Sequence, residues 1–70
     1  IAWINADYGP MALCISPVDE KGTATLRQEQ RHSMNLVWWQ DAGYQFVLIG
    51  RNPPSHLQSN AEQLQRLISG

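Results

Sequence analysis

Two stretches of this chain, AWINADYGPMALCI (2–15) and LVWWQDAGYQFVLI (36–49), repeat one pattern at a constant offset of 34 residues. Asp7 falls on Asp41, Gly9 on Gly43 and Ile15 on Ile49, and apolar residues coincide at 2/36, 3/37, 4/38, 12/46, 13/47 and 14/48. Each copy is an apolar run, an Asp-x-Gly turn and a second apolar run. Asp-x-Gly suits a three-residue hairpin loop whose last position is left-handed, the conformation glycine adopts at least expense. The pattern predicts two β-hairpins, over 1–17 and 34–50.

Neighbours on a strand point to opposite faces of a sheet, so the adjacent Trp38 and Trp39 cannot enter one core together. A three-residue loop at 41–43 pairs Gln40 with Tyr44, Trp39 with Gln45 and Trp38 with Phe46. One face then carries Leu36, Trp38, Tyr44, Phe46 and Leu48, and the other Val37, Trp39, Val47 and Ile49. The first hairpin sorts into Ala2, Ile4, Ala12 and Cys14 against Ile1, Trp3, Leu13 and Ile15. Both faces are apolar in both hairpins, unlike the half-wet alternation usual in antiparallel sheets. A helix covers one face. The other needs the intervening arm, another chain or further parts of a parent protein, because an exposed aromatic face is adhesive. The candidate interaction surface is Trp3, Leu13, Val37, Trp38, Trp39, Phe46 and Val47. Which tryptophan lies under the helix is left open by the pairing.

The arm, residues 18–33, is polar. A turn is expected at Pro17 and over 19–22. From Thr23 to His32 the one large apolar residue is Leu26, which fits either a charge-blunted edge strand or a loose connection. After Gly50, Asn52-Pro53-Pro54-Ser55 ends the sheet and starts a helix over 54–68. Its cap is either Asn52, with Pro53 at the first helical position, or Ser55 with Gln58 in a capping box. Leu57, Ala61, Leu64 and Ile68 form one helical stripe with Leu67 beside it. The expected fold is α+β: two hairpins in a small antiparallel sheet, with the helix packed on one face, in a single domain.

With 70 residues, a lone core is near the margin of stability, so a covering partner matters. The five basic residues are scattered and the formal net charge is −1, which disfavours nucleic acid. The acids fall in turns or on polar faces. Neither His32 nor His56 has ligands at metal spacing, so no metal, cofactor or catalytic residue is expected. Cys14, the single cysteine, lies among apolar strand neighbours and reads as a buried inert thiol; a Cys14 nucleophile with His32 as base is a rival reading. A second rival is a small ligand-binding module with an aromatic-lined cleft between sheet and arm. Starting at Ile1 without a leader or a long apolar run, the chain reads as an excised domain or a processed product.

Asn35-Leu36-Val37, Trp38 or Trp39, Asp41 to Gly43, Tyr44 to Gly50 and then Pro53-Pro54 leading to Leu57 and Ala61 resemble a known closing segment. It is that of membrane-anchored bacterial anti-sigma factors and related transmembrane regulators. The stretch from Ile1 to Pro17 is similar to the hairpin that precedes it there. The resemblance implies a module on the periplasmic side of the inner membrane, in a membrane-anchored parent whose sigma factor is held by a region outside this chain. It further implies control of transcription by protein–protein contact, through a protein partner or self-association, without catalysis.

Overall fold

The computed structural model describes residues 1–19 and 24–69. Strands β1 (Ala2–Asn5), β2 (Gly9–Pro17), β3 (Ala24–Arg31), β4 (Met34–Asp41) and β5 (Tyr44–Gly50) precede one helix, α1 (Pro54–Ser69). The strands form one antiparallel sheet in the order β1-β2-β5-β4-β3, an α+β architecture with the sheet open at both edges. Strands β3, β4 and β5 form a meander, and β2 lies beside β5, which gives a Greek-key order. The chain leaving β2 is tied to the β4–β5 turn, where the Val18 amide donates to the Gly43 carbonyl (2.9 Å).

Most of the polar arm is therefore an edge strand. Strand β3 pairs with β4 and carries Arg27, Gln28, Glu29, Gln30 and Arg31 along an edge that charge protects from further pairing. A bulge between Ala24 and Arg27 shifts the register near Leu26, which packs against the core. The expected turn at Pro17 does not occur there, because Pro17 closes β2; residues 20–22 lie outside those described.

The two echoing hairpins close differently. In the first, three residues, 6–8, separate Asn5 from its partner Gly9, which is left-handed (φ 83°). The Asn5 side-chain oxygen accepts from the amides of Asp7 (2.8 Å) and Tyr8 (3.0 Å), an Asx turn that fixes the loop. In the second, Asp41 pairs with Tyr44 and the loop is two residues, Ala42 (φ 53°) and Gly43 (φ 85°), both left-handed as a type I′ turn requires. The expected three-residue loop is corrected by one residue. Trp39 pairs with Phe46 and Trp38 with Val47, so the faces recombine: Val37, Trp39, Phe46 and Leu48 on one side, Leu36, Trp38, Val47 and Ile49 on the other.

Helix α1 covers the first of these faces. Leu57 and Ala61 meet a core of Met11, Leu13, Val37, Trp39, Phe46 and Leu48, with Trp3, Leu26 and Leu64 at its margin. Trp39 is 1% exposed and stacks on Phe46 with ring centroids 5.2 Å apart. The helical stripe is buried at its start and emerges toward its end, where Leu67 and Ile68 are exposed. Neither expected cap forms. Pro54 opens the helix, the Pro53 carbonyl accepts from the Leu57 amide (3.0 Å), and Ser55 lies within the first turn. The helix is pinned at both ends: Gln28 donates to the Pro54 carbonyl (2.9 Å), and the Ser69 hydroxyl donates to Asp41 (2.6 Å).

Candidate functional site

On the side of the sheet away from α1, the registers align side chains in rows. Gln40, Gln45 and Ser16 form one row, and Trp38, Val47 and Cys14 the next. Leu36, Ile49, Ala12 and Ala2 form a third, followed by Met34 with Pro10 and Ile4 at the far end. No charged side chain lies on this face of β1, β2, β5 or β4. Charge enters at the β3 edge, where Arg27, Glu29 and Arg31 lie beside Trp38, Leu36 and Met34. Arg31 and Glu29 pair in water (3.1 Å), an ion pair of small energetic weight. Ile4 is 74% exposed, Cys14 is exposed, and Trp38, Leu36, Val47 and Ile49 are each partly exposed.

The sequence-derived surface is divided by the helix. Leu13, Val37, Trp39 and Phe46 are buried beneath α1, and Trp3 is half-buried at its margin. Trp38 and Val47 face the open side, joined there by Ile4, Ala12, Cys14, Leu36 and Ile49. The one-residue change in loop length accounts for the exchange, because a one-residue slip moves a whole strand's side chains to the opposite face. Cys14 is also corrected, from a buried thiol to an exposed one.

A buried polar joint under the helix start was missed in sequence, where Asn52 reads as a cap. Asn52 is fully enclosed. Its carbonyl accepts from the buried Asn35 amide (2.8 Å), and its Nδ2 lies 3.6 Å from Met11 Sδ and 2.9 Å from His56 Nδ1. The His56 ring packs against Tyr8 with centroids 4.9 Å apart. A Cβ on Gly50 would come within 2.5 Å of Asn52 Oδ1, so glycine there makes room for the amide. Asn35, a polar residue leading an apolar strand, is the one sequence signal for this joint.

Other chemistry finds no assembled site among the described residues. No three of His, Cys, Asp and Glu cluster as metal ligands. His32 occupies the β3–β4 turn, at the opposite end of β4 from the Gln40 row and two strands from Cys14, so the two form no pair. Over the described residues 24–31 the arm is strand β3, which continues the sheet edge instead of facing it across a cleft. A groove of about 190 Å³ lies instead between β1 and α1, lined by Trp3, Asn5, Asn60, Gln63, Leu64 and Leu67. That volume is below the usual range for small-molecule sites, with Trp3 its one aromatic ring; a more open depression of about 350 Å³ adjoins it by Gln63, Arg66 and Leu67, with no aromatic lining.

Fold and site together define a small α+β domain with one helix-covered and one open apolar sheet face. Compared with known family models, characterised proteins and solved structures, the chain matches none. Among the described residues no helix is long and apolar enough to cross a membrane.

Proposed function

We propose that this chain is a non-catalytic protein-contact domain of a membrane-anchored bacterial regulator of the anti-sigma type, lying on the periplasmic side. Its open sheet face is the contact surface. The observation that carries the reading is the run of apolar rows on β1, β2, β5 and β4, free of charge and bordered by the Arg27–Glu29–Arg31 edge. An apolar centre with a polar rim is the anatomy of a protein interface, and aromatic residues such as Trp38 dominate the energetics of such centres. The resemblance of the 35–61 stretch to the closing segment of anti-sigma regulators supplies the regulatory context and the compartment. In that arrangement the domain receives a signal or shields the parent from processing, and the sigma factor is bound elsewhere.

The test is a decoy experiment. The 70-residue chain is exported to the periplasm of a bacterium that carries such a regulator and a sigma-dependent reporter. The expected outcome is a several-fold change in reporter output with the native chain and none with Trp38→Asp or Val47→Asp. Equal output with native and substituted chains, at equal periplasmic levels, overturns the reading.

A further inference from the structure

We infer that the open face is covered by a second copy of this chain, packed face to face about a two-fold axis that runs parallel to the strands over β5. The inference rests on the reading of this face as a contact surface and names its occupant.

The argument comes from how side-chain size is graded across the sheet. Within the two central apolar rows the large residue lies on β4, a β-branched residue on β5 and a small one on β2: Trp38, Val47, Cys14, then Leu36, Ile49, Ala12. The row above them, Gln40, Gln45 and Ser16, is level from β4 to β5 and again ends in a small residue on β2. A two-fold axis along β5 lays β4 of one copy over β2 of the other at the same level. Trp38 then sits on Cys14 of the second copy, Leu36 on Ala12, and Val47 and Ile49 each on their own equivalents. The combined thickness of facing pairs stays nearly constant across the interface, as two sheets packed about 10 Å apart require. An isologous contact must be self-complementary, and this gradient is.

The alternative in-plane axis, perpendicular to the strands, stacks Trp38 on Trp38 and leaves a void over Cys14 and Ala12. The size gradient therefore selects both the partner and the axis. The Arg27–Glu29–Arg31 edge falls over β1 of the second copy, at the rim, where it stays hydrated. Strands lie about 4.8 Å apart with about 3.3 Å per residue, so two five-stranded faces of some six residues remove on the order of 1,000 Å² from water; this is the size of a weak, concentration-dependent dimer interface.

The test combines mass and cross-linking on the whole chain. Light scattering across a concentration series is expected to show a dimer. Trp38→Ser should raise its dissociation constant roughly 30-fold or more, as truncation of a central aromatic anchor does. Circular dichroism of that variant is expected to match the native chain. Because Val47 faces its own equivalent and Cys14 does not, Val47→Cys in a Cys14→Ser background should cross-link as a dimer under mild oxidation or with a short bis-thiol reagent. Native Cys14 should not, and its alkylation should slow as chain concentration rises.

A monomer at all concentrations overturns the inference, and so does a dimer linked through Cys14 with no Val47→Cys product. Should the variant at 47 misfold, Ile49→Cys, also on the axis, provides the same readout. A monomer that nonetheless acts as a decoy removes the second copy and leaves the contact function standing; a dimer without decoy activity does the reverse.

Discussion

At the scale of single residues, Ala42 is the most informative position. It holds a left-handed conformation (φ 53°) in which a β-carbon crowds the backbone. Asn tolerates this conformation better and Asn-Gly is the preferred type I′ pair. Ala42→Asn is therefore expected to stabilise the chain by about 0.5–1 kcal/mol, read as a rise in the urea midpoint at unchanged slope. Alanine has no left-handed preference to advertise, which is why the sequence suggested a longer loop ending in a single left-handed Gly43. Asn35 gives the second residue-scale prediction. Its Nδ2 supplies the buried Asn52 carbonyl, so Asn35→Leu leaves that acceptor unpaired and is expected to cost about 1–3 kcal/mol by the same measurement. Equal stability of Asn35→Leu and the native chain would show that water or a shifted backbone replaces the bond.

At the scale of elements, the adjacent tryptophans differ in kind because a strand sends them to opposite sides. Trp39 is enclosed beneath α1, and its indole N–H finds no acceptor among the described residues, so burial and stacking on Phe46 hold it. Trp39→Ala should remove about 3–5 kcal/mol, much of the roughly 4–10 kcal/mol expected for a domain of this length. Trp38→Ala should change the stability of the isolated monomer by about 1–2 kcal/mol, well below the loss at Trp39, since its side chain lies on the uncovered face and is partly in water. Chemical denaturation at low chain concentration distinguishes them, and similar losses at both positions would contradict the two-sided description. The hairpins and the helix were legible as elements because their apolar periodicities are strong. Strand β3 was not, since its side chains are polar and its state is decided by the unpaired edge of β4 rather than by its own composition.

At the scale of the whole molecule, one helix covers one face of a five-stranded sheet, and the chain contains nothing else among the described residues to cover the other. That imbalance was legible as apolarity on both faces; which residues occupy each was not, because the β4–β5 turn sets it. Stability should accordingly depend on chain concentration, with the melting temperature rising as the second copy adds its burial. A flat melting temperature across a hundredfold range would count against the paired form together with the cross-linking result.

The β4–β5 turn acts on the sheet much as a reading frame acts on a message. Through it the echoing halves share their outgoing faces, Trp3 with Val37 and Ile4 with Trp38, yet invert on the return, where Leu13 lies beneath the helix and its echo Val47 outside. A β4–β5 pairing slipped by one residue, with Trp39 opposite Gln45 instead of Phe46, would send Val47 and Ile49 under the helix and expel Phe46 and Leu48. A slip of register at this turn is thus a frameshift in space, and the left-handed Ala42-Gly43 pair is what holds the frame.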